Sequence, residues 1–416
     1  MHVLLIHQAF TALDEPGGTR HYELARCLAQ RGQRVTIIAS PISYLTGKAD
    51  LTSPTSVRSH EGGHQAGVEE DGLRILHAYT YSALHKSFVH RVFSFFSFMV
   101  SSFATGLKVK NVDLIWGTSP PIFQGMTAWA LARIKHAPFL FEVRDLWPAF
   151  AIGVGVLHNP LLIRLSEWLE RFLYRHADLV LVNSPGFIDH VRSHGAKRVE
   201  LVPNGADPGM FDPLADGARF RAAHGLQDKF VVVYAGAHGM SNDLGVVLDA
   251  ANLLYDRPEV AIVFLGDGKD KPQLQARAAK SGLKNVVFIP PIPKTDMGEA
   301  LAAADACIAI LKPIPLYSTV YPNKVFDYMA AGRPVLLAID GVIRKVIEEN
   351  QAGLYVEPGN PLALSEAIRI LADDPKKRRT MGTNGRRTVE RDFDRAKLAE
   401  VLADLLISMV YVAGDK

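Results

Sequence analysis

The feature that most constrains this chain is an alternation of short, continuously apolar runs with longer amphipathic segments, and the alternation occurs twice. In the first half, the runs 3–7, 34–39 and 139–143 are typical of strands buried on both faces, and helix-like segments separate them. After residue 228 the pattern starts again with 230–234 and 260–265. Such strands and helices form sheets that are covered by helices on both faces. The predicted fold class is therefore α/β, with two Rossmann-like doubly wound domains facing a central cleft.

The break between the two alternating halves sets the predicted domain boundaries. A chain of 416 residues is too long for one hydrophobic core and suits two domains of similar size. Regular structure breaks at 203–207, and the segment that follows is rich in Gly, Pro and Asp. We predict one Rossmann-like domain over residues 1–206, a second over 207–392, and an amphipathic helix over 393–416 that closes the chain.

Charge and cysteine content argue against several classes of function. The formal net charge is +3 and no long basic run occurs, so nucleic-acid binding is not expected. Cys27 and Cys307 lie in apolar segments and cannot build a disulfide framework or a metal cluster, which favours a reducing compartment. The apolar run 2–6 is too short for the core of a signal peptide. A cytoplasmic location is expected.

The stretch 316–334 is the strongest candidate for ligand binding. A polar loop leads into a helix that is predicted to begin near Lys324 and to end at Gly332. Backbone N–H groups and the helix dipole attract phosphate at such a position, and Lys324 adds a positive charge. Asp327 can accept hydrogen bonds from sugar hydroxyls. These features indicate a nucleotide or nucleotide-sugar site, and the alternative is a capped helix whose Lys and Asp face solvent.

Loops at other strand ends carry further candidates. Gly17 and Gly18 allow a phosphate or a sugar to approach closely, or form a tight turn. Arg144 and Asp145 follow the strand 139–143 and are placed to enter a cleft, or to form a structural pair. No G-x-G-x-x-G fingerprint occurs, which argues against a dinucleotide-dependent dehydrogenase.

Two segments depart from the alternating pattern. Residues 46–71 are polar and Gly/Ser-rich, so a mobile loop is expected there rather than a metal site at His60 and His64. Residues 92–107 carry no charge, are rich in Phe and have basic neighbours on both sides. The segment is shorter than the about 20 residues that a membrane-spanning helix needs. It is predicted to be a buried helix or a helix that dips into a membrane surface, with the membrane surface favoured.

Several motifs occur together along the chain. They are the Gly17-Gly18 loop with HYELAR (21–26), EVRDLWP (142–148), VPNGAD (202–207), YAG (234–236), FLGDG (264–268) and LYSTVYPNKVFDYMAAGRP (316–334). Over nearly the whole length they resemble GT-B glycosyltransferases of family 4, the retaining and metal-independent class. The details are most similar to the branch that builds bacterial surface polysaccharides, including fucosaminyltransferase-like enzymes of O-antigen assembly.

This resemblance implies substrates and a location. Residues 1–206 would bind a saccharide or polyprenyl-linked acceptor, and residues 207–392 would bind a nucleotide-sugar donor, most commonly a UDP-sugar. No metal and no other cofactor is expected. The segment 92–107 would make peripheral contact with the inner face of the cytoplasmic membrane.

The resemblance also assigns roles to single residues. It implies catalytic roles for Arg144 and Asp145, which would orient the acceptor, and for Lys324, which would supply charge at the phosphate. Asp327 stands at the second of two family carboxylate positions and would hold the ribose hydroxyls, whereas Thr319 replaces the first carboxylate. The implied donor-binding residues are Gly17, Gly18, Asn204, Gly236, His238, Gly268, Lys271, Thr319, Tyr321, Asn323 and Asp327.

A mechanism and two alternatives follow from these assignments. Ala237 and Asn242 replace the Arg and Lys that often hold the diphosphate, so Lys324, with Lys271 second, is the candidate for this charge. Preorganised amides and cations can stabilise the departing diphosphate without metal. Retention without an obvious nucleophile implies front-face attack, with the leaving phosphate taking the acceptor proton. The alternatives are a UDP-sugar epimerase of the same fold and a non-catalytic sugar-nucleotide-binding module, which Thr319 mildly favours.

Overall fold

The computed structural model describes residues 1–42, 68–70, 72–82 and 88–414. Most of the segment predicted as a mobile loop, with His60 and His64, lies outside the described residues. The chain forms two compact units, one of residues 1–203 with the C-terminal segment from Ala396, and one of residues 204–395.

The first unit is built on a single sheet. Its strands are β1 (His2–Ile6), β2 (Arg34–Ala39), β3 (Val68–Glu70), β4 (Leu73–His77), β5 (Leu114–Ser119), β6 (Phe139–Val143), β7 (Leu179–Val182) and β8 (Val199–Leu201). Its helices are α1 (Arg20–Gln30), α2 (Phe88–Lys108), α3 (Phe123–Lys135), α4 (Ala149–Gly153), α5 (Pro160–His176) and α6 (Ile188–Ser193). The strand order is β3-β4-β2-β1-β5-β6-β7-β8, and only β3 runs antiparallel to its neighbour. Every residue of β1, β5, β6 and β7 is buried, as the continuous apolar runs predict.

The second unit repeats this architecture. Its strands are β9 (Phe230–Ala235), β10 (Val260–Leu265), β11 (Val286–Ile289), β12 (Ala306–Ile310), β13 (Val335–Ala338) and β14 (Gly353–Tyr355), all parallel, in the order β11-β10-β9-β12-β13-β14. Its helices are α7 (Ala218–Ala223), α8 (Leu244–Leu253), α9 (Lys271–Lys280), α10 (Met297–Ala302), α11 (Asn323–Ala330), α12 (Val342–Glu349), α13 (Pro361–Asp373) and α14 (Pro375–Thr388), followed by α15 (Arg395–Gly414). The predicted fold class, α/β with two Rossmann-like sheets, is confirmed.

Alternation of side chains along β9 explains how the second sheet is covered on both faces. Val231 and Val233 belong to a core that includes Val325 of α11. Val232 and Tyr234 belong to the opposite core, on the side of α8. Successive side chains of a strand point to opposite faces, so an apolar strand requires an apolar helix on each side.

The domain boundaries differ slightly from the prediction. The units divide after Pro203 rather than after residue 206, and the segment from Ala396 joins the first unit instead of forming a separate end. The reason is hydrophobic: Leu402 and Leu406 of α15 are fully buried in the core that contains Leu5 of β1. The last helix is therefore part of the first unit's core.

The uncharged segment 92–107 forms most of α2, and this helix has two different faces. Phe98 and Ser102 are fully buried, whereas Phe93 and Val100 are 63% and 65% exposed. The buried face agrees with the interpretation as a buried helix, whereas contact of the exposed face with a membrane stays a prediction. Within the described part of the chain, no helix combines the length and the apolar character that crossing a membrane requires.

The buried face of α15 provides a test of the revised boundary. Leu402→Ala should lower the free energy of unfolding by about 2–5 kcal/mol because it leaves a cavity in a close-packed core. Val401→Ala, at a 48% exposed position of the same helix, should change it by about 0.5 kcal/mol or less. All four tryptophans lie within residues 116–168, so tryptophan fluorescence during denaturation reports on the first unit. Equal effects of both substitutions would contradict the assignment of α15 to this core.

Candidate functional site

In both units the candidate residues lie at the carboxyl ends of parallel strands. In the second unit, Gly236 follows β9, Gly268 follows β10 and Lys324 lies in the first turn of α11. In the first unit, Gly17 lies in the loop after β1 and Arg144 follows β6. The strand order reverses between β9 and β12 in one sheet and between β1 and β5 in the other. Open α/β sheets bind ligands beside such switch points, so the position itself favours a binding role.

Two glycine-containing loops are fastened together at the switch point of the second unit. The N–H of Gly236 donates to the carbonyl of Leu265 at 2.9 Å, and the N–H of His238 donates to that of Asp267 at 2.8 Å. These bonds extend the pairing of β9 and β10 beyond the strands. At Gly266, φ is +141° and a Cβ atom would lie 2.0 Å from the carbonyl oxygen of Gly236. A side chain at this position would force the two loops apart.

Helix α11 is attached to the end of β9 by one tyrosine. The buried hydroxyl of Tyr328 accepts a hydrogen bond from the N–H of Ala235 at 2.9 Å and lies 3.2 Å from its carbonyl oxygen, to which it donates. Lys324 precedes Tyr328 by one turn and shares its face of the helix. Its Nζ lies 3.9 Å from the centre of the Tyr234 ring and 3.0 Å from the position that a Cβ atom of residue 236 would occupy. Glycine at 236 therefore makes room for the ammonium group.

The ammonium group of Lys324 lies against an aromatic ring rather than beside a carboxylate of the described chain. Among the residues that the structure describes, it makes neither an ion pair nor a hydrogen bond, and the face of the Tyr234 ring is its nearest favourable contact. Burial lowers the pKa of Lys324 to about 7. A ligand phosphate at this position would favour the charged form.

His238 is the second unusual group of this loop pair. It is fully buried, and neither ring nitrogen has a hydrogen-bond partner in the described structure. Burial, with the positive charges of Lys271 and Lys324 nearby, lowers the pKa of His238 to about 4, so the imidazole is neutral at pH 7. Buried polar groups are normally hydrogen-bonded, and exceptions point to a functional role.

Lys271 completes the cluster. It is the first residue of α9, and its Nζ donates to the carbonyl of Gly266 at 2.7 Å and to that of Ile289 at 3.3 Å. Gly266 directly follows β10, and Ile289 is the last residue of the neighbouring β11. The ammonium is therefore held at the carboxyl edge of the sheet, where His238 also lies. The structure thus brings together three predicted residues, His238, Lys271 and Lys324, and we call them the basic cluster.

The loop before α11 gathers further predicted residues. Nδ2 of Asn204 donates to the carbonyl of Tyr321 at 2.6 Å, while Oδ1 of Asn204 and Oδ1 of Asn323 are buried without a partner in the described structure. The hydroxyl of Thr319 donates to the carbonyl of Leu316 at 2.7 Å and so closes its own turn. The hydrogen-bond acceptors that a ligand could use here are therefore two amide oxygens, whereas the family has a carboxylate at the position of Thr319.

Asp327 has a partner that sequence analysis did not identify. Its Oδ2 lies 2.6 Å from Nζ of Lys294, and both side chains are largely buried. Lys294 also lies over the ring of Phe211, 5.3 Å from its centre. Asp327 and Lys324 thus do not simply face solvent, as the alternative interpretation required. A ribose role for Asp327 stays a prediction, and it would have to share the carboxylate with Lys294.

The glycine pair of the first unit has one constrained and one open position. At Gly17, φ is +155° and a Cβ atom would lie 2.9 Å from the side chain of Thr11. No atom lies within 4 Å of the corresponding position at Gly18. Gly17 is thus required by the turn itself, and contact of either residue with a donor stays a prediction.

Arg144 and Asp145 do not pair with each other, and Arg144 instead contacts backbone carbonyls. The Arg144 guanidinium donates to the carbonyl of Pro120 at 2.7 Å and to that of Ser119 at 3.3 Å, which ties the ends of β5 and β6 together. No ion pair joins it to Asp145 within the described residues. Asp145 keeps an exposed surface, and partial desolvation by the surrounding protein raises the pKa of its carboxyl to about 6, although the charge of Arg144 opposes this shift. The carboxylate of Asp145 is left available for a ligand.

Sequence analysis missed the buried polar network beneath these residues. Glu142 is fully buried and accepts hydrogen bonds from Nε of Arg20 at 3.0 Å, Nε2 of His21 at 2.6 Å and Nε1 of Trp116 at 3.1 Å. Burial alone would raise the pKa of Glu142, but the charge of Arg20 and the N–H donors hold it well below its usual range. Burial lowers the pKa of His21 to about 4. One signal was present, because Glu142 interrupts an otherwise apolar strand.

Comparison with known families agrees with this division into units. Residues 17–205 match the glycosyl transferase 4-like domain, and residues 217–388 match the family of glycosyl transferases group 1. The two matches fall in different units and together cover most of the chain. The chain belongs to the group 1 glycosyltransferases, and its first unit is a glycosyl transferase 4-like domain.

Two curated relatives are about a quarter identical to this chain over the residues that align. The sulfoquinovosyl transferase SQD2 of Arabidopsis thaliana is 26% identical over 297 residues, which cover 70% of this chain and 55% of that protein. The chain thus spans about half the length of this relative. WcaI of Escherichia coli (strain K12), named for colanic acid biosynthesis, is 24% identical over 386 residues, 90% of this chain and 91% of WcaI.

Solved structures confirm the fold. Sucrose-phosphate synthase from Thermosynechococcus elongatus has a TM-score of 0.78 at 20% identity and covers 99% of both chains. Anabaena Alr3699/HepE, solved with UDP-glucose, has a TM-score of 0.72 at 17% identity and covers 98% of this chain and 100% of its own. The GT-B fold is therefore confirmed.

The pKa of Lys324 predicts how nucleotide-sugar binding depends on pH. Below pH 7 the ammonium is already charged, whereas above pH 7 binding must take up a proton. Affinity for UDP-glucose, whose own charge is constant in this range, should therefore fall about tenfold from pH 6 to pH 8. Calorimetry at pH 8 in buffers of different ionisation enthalpy should detect nearly one proton taken up. Constant affinity without proton uptake would separate Lys324 from the ligand, and Lys324→Met should show this constant behaviour at reduced affinity.

Proposed function

We propose that this chain is a retaining, metal-independent hexosyltransferase that moves a sugar from a UDP-sugar to a lipid-linked saccharide in bacterial surface polysaccharide biosynthesis. The observation that carries the proposal is the basic cluster beside the switch point of the second unit. A departing diphosphate needs positive charge, and Lys324 is a lysine that pairs with no anion among the residues that the structure describes. In its most specific form, the proposal assigns the chain to the fucosaminyltransferase-like branch of O-antigen assembly.

The choice of donor and pathway draws on the similar proteins. Anabaena Alr3699/HepE was solved with UDP-glucose, which favours UDP as the nucleotide here. The name of WcaI refers to colanic acid biosynthesis, which favours a polysaccharide product. The proposal therefore names UDP as the nucleotide and a polysaccharide as the product, without a specific sugar or linkage.

The second unit stabilises the leaving group in this mechanism. As the bond between the anomeric carbon and the phosphate oxygen breaks, negative charge grows on the diphosphate. A fixed ammonium in a partly buried site stabilises that charge without solvent reorganisation. The neutral imidazole of His238 donates one further hydrogen bond, and Lys271 adds positive potential. Asn204 and Asn323 accept hydrogen bonds from donor hydroxyls through their unpaired amide oxygens.

The first unit orients the acceptor. Asp145, mostly ionised at pH 7, accepts a hydrogen bond from the acceptor hydroxyl, while Arg144 holds the loop in place through its carbonyl contacts. The acceptor oxygen attacks the anomeric carbon on the face that the diphosphate leaves. The acceptor proton passes to the leaving phosphate oxygen, so the configuration is retained and no metal or protein nucleophile is needed.

An exposed apolar surface on the first unit supports the proposal of a lipid-linked acceptor. The exposed apolar face of α2 includes Phe93, Phe96 and Val100, and Arg91 lies exposed beside it. Helix α3 contacts α2 through Phe123 and contacts α5 through Trp129, so the three helices form one layer.

Helix α5 extends this surface. Leu161, Leu165 and Trp168 of α5 are 64%, 53% and 59% exposed. Exposed aromatic and aliphatic side chains with basic neighbours are typical of helices that lie in a membrane interface. We place this layer on the inner face of the cytoplasmic membrane, where a polyprenyl-linked acceptor would reach the first unit.

Nucleotide binding is the first test of the proposal. UDP should raise the melting temperature of the wild-type chain equally with magnesium and with a chelator, because it binds only the folded protein. Lys324→Met should bind UDP more weakly by about 1.5–3 kcal/mol, the value of a charge-assisted contact, without loss of stability. Lys280→Met, at an exposed lysine of α9, should bind like the wild type. Equal binding by both variants would remove Lys324 from the site.

Turnover separates the proposal from its alternatives. The chain should release UDP from a UDP-sugar only when a lipid-linked saccharide is present, and the new linkage should keep the anomeric configuration of the donor. Interconversion of UDP-sugars without acceptor would favour an epimerase. Binding without turnover, across a panel of donors and acceptors, would favour a non-catalytic module.

Membrane binding has its own matched pair of variants. Phe93→Glu with Val100→Glu should abolish sedimentation with vesicles of phosphatidylethanolamine and phosphatidylglycerol, because both changes place charge on the exposed face of α2. Tyr255→Glu, at an 87% exposed position of the second unit, should leave sedimentation unchanged. The melting temperature of each variant checks folding. Undiminished sedimentation of the folded double variant would contradict a membrane role for α2.

A further inference from the structure

Three metal-ligating side chains lie together in the first unit, apart from the residues discussed so far. They are Glu170 of α5, His190 of α6 and His194, which follows α6, and their ligand atoms lie within 4.8 Å of one another. We propose that these residues bind one divalent transition-metal ion, with Zn²⁺ preferred. The proposal does not depend on the sugar-transfer mechanism, which needs no metal at the carboxyl edge of either sheet.

Glu170 is a buried carboxylate whose partners in the described structure are a tyrosine and a histidine. It is 1% exposed, and its Oε1 accepts hydrogen bonds from the hydroxyl of Tyr174 at 3.0 Å and from Nε2 of His190 at 2.8 Å. Within the described residues, Oε2 has no hydrogen bond and no Lys or Arg pairs with the carboxylate. A buried charge is costly unless it is paired or coordinates a metal. Glu170 therefore has both a free oxygen and a charge that a cation would balance.

The hydrogen bonds of the two histidines leave nitrogen atoms for a metal. Nδ1 of His194 lies 2.8 Å from the carbonyl oxygen of His190 and must donate, because a carbonyl only accepts. Nε2 of neutral His194 therefore carries a lone pair. Metal-binding histidines commonly donate their other N–H to a backbone carbonyl in this way. At His190, the ion would take the place of the proton that now lies between Nε2 and Glu170, and the neutral ring would carry its proton on Nδ1 instead.

The geometry needs only a local adjustment. The rings of His190 and His194 are stacked, with centroids 3.9 Å apart and planes 16° from parallel. Ligand atoms around tetrahedral zinc lie about 3.3 Å apart. Rotation of the partly buried rings out of the stack would bring both nitrogens and a Glu170 oxygen to this separation. Two imidazoles and one carboxylate suit zinc rather than magnesium, and water would complete the coordination.

The position of the cluster indicates a structural ion. Helix α5 leads into the start of β7, and His194 precedes the start of β8, so the cluster lies towards the amino ends of these strands. Arg144 and Asp145 follow the carboxyl end of β6, at the opposite edge of the sheet. An ion at this site would connect α5 with α6 and stabilise the outer part of the first unit.

Zinc titration of the full chain, free of any histidine tag and treated with chelator, tests the site. Calorimetry should show one Zn²⁺ per chain, and zinc but not magnesium should raise the melting temperature. Glu170→Gln should weaken binding at least about tenfold, and His194→Ala should abolish it. Electron paramagnetic resonance of the Cu²⁺-loaded chain should show coupling to two imidazole nitrogens, which a purely structural hydrogen-bond cluster would not produce.

Two controls keep the result specific. His136→Asn, at an exposed histidine that ends α3, should bind zinc like the wild type. The double variant His60→Ala/His64→Ala, outside the described residues, should also bind like the wild type. Absence of zinc binding by the wild type, loss of binding in either control, or unchanged binding by folded His194→Ala and Glu170→Gln would overturn the proposal.

Discussion

The hydrogen bonds between the Tyr328 hydroxyl and the backbone of Ala235 are the interaction on which the second unit's site depends. They fix α11 against the end of β9, and the regular helix then places Lys324, one turn earlier, over Tyr234 and beside Gly236. A shift of the helix by one residue would rotate the lysine by about 100° and remove its ammonium from this edge. A neutral, fully buried contact thus determines where a positive charge is presented.

The first unit achieves the same kind of positioning with charged groups. Arg20 bonds Glu142 in the sheet and also donates to the carbonyls of Val202 and Pro203, each at 2.7 Å, so α1 is fixed to β6 and to the last residues before the second unit. Burial of an ion pair costs desolvation energy that its attraction does not always recover. The main effect of this network is therefore positional, because it holds three chain segments in one arrangement.

The sequence predicted regular elements well because their signals are local. Apolar runs identified the central strands, and the Lys324 helix was found from its entrance and exit residues. The partners of these residues were not predictable, since Ala235 and Tyr328 lie 93 positions apart and Asp327 meets Lys294 only through tertiary packing. The burial of α15 in the first unit was missed for the same reason, because an amphipathic pattern shows that a face is buried without showing against what.

The contrast between satisfied and unsatisfied buried groups separates the chemistry of the two units. Glu142 has three hydrogen-bond donors, so its charge is used within the protein. The imidazole of His238 is buried and has no hydrogen-bond partner among the described residues, and the partly buried Lys324 has no anion there. Such groups lower stability in the free chain, and proteins tolerate this cost mainly at functional sites. Because the neutral His238 and the easily deprotonated Lys324 both gain from an anion, their placement supports anion recognition by the second unit more strongly than any single motif does.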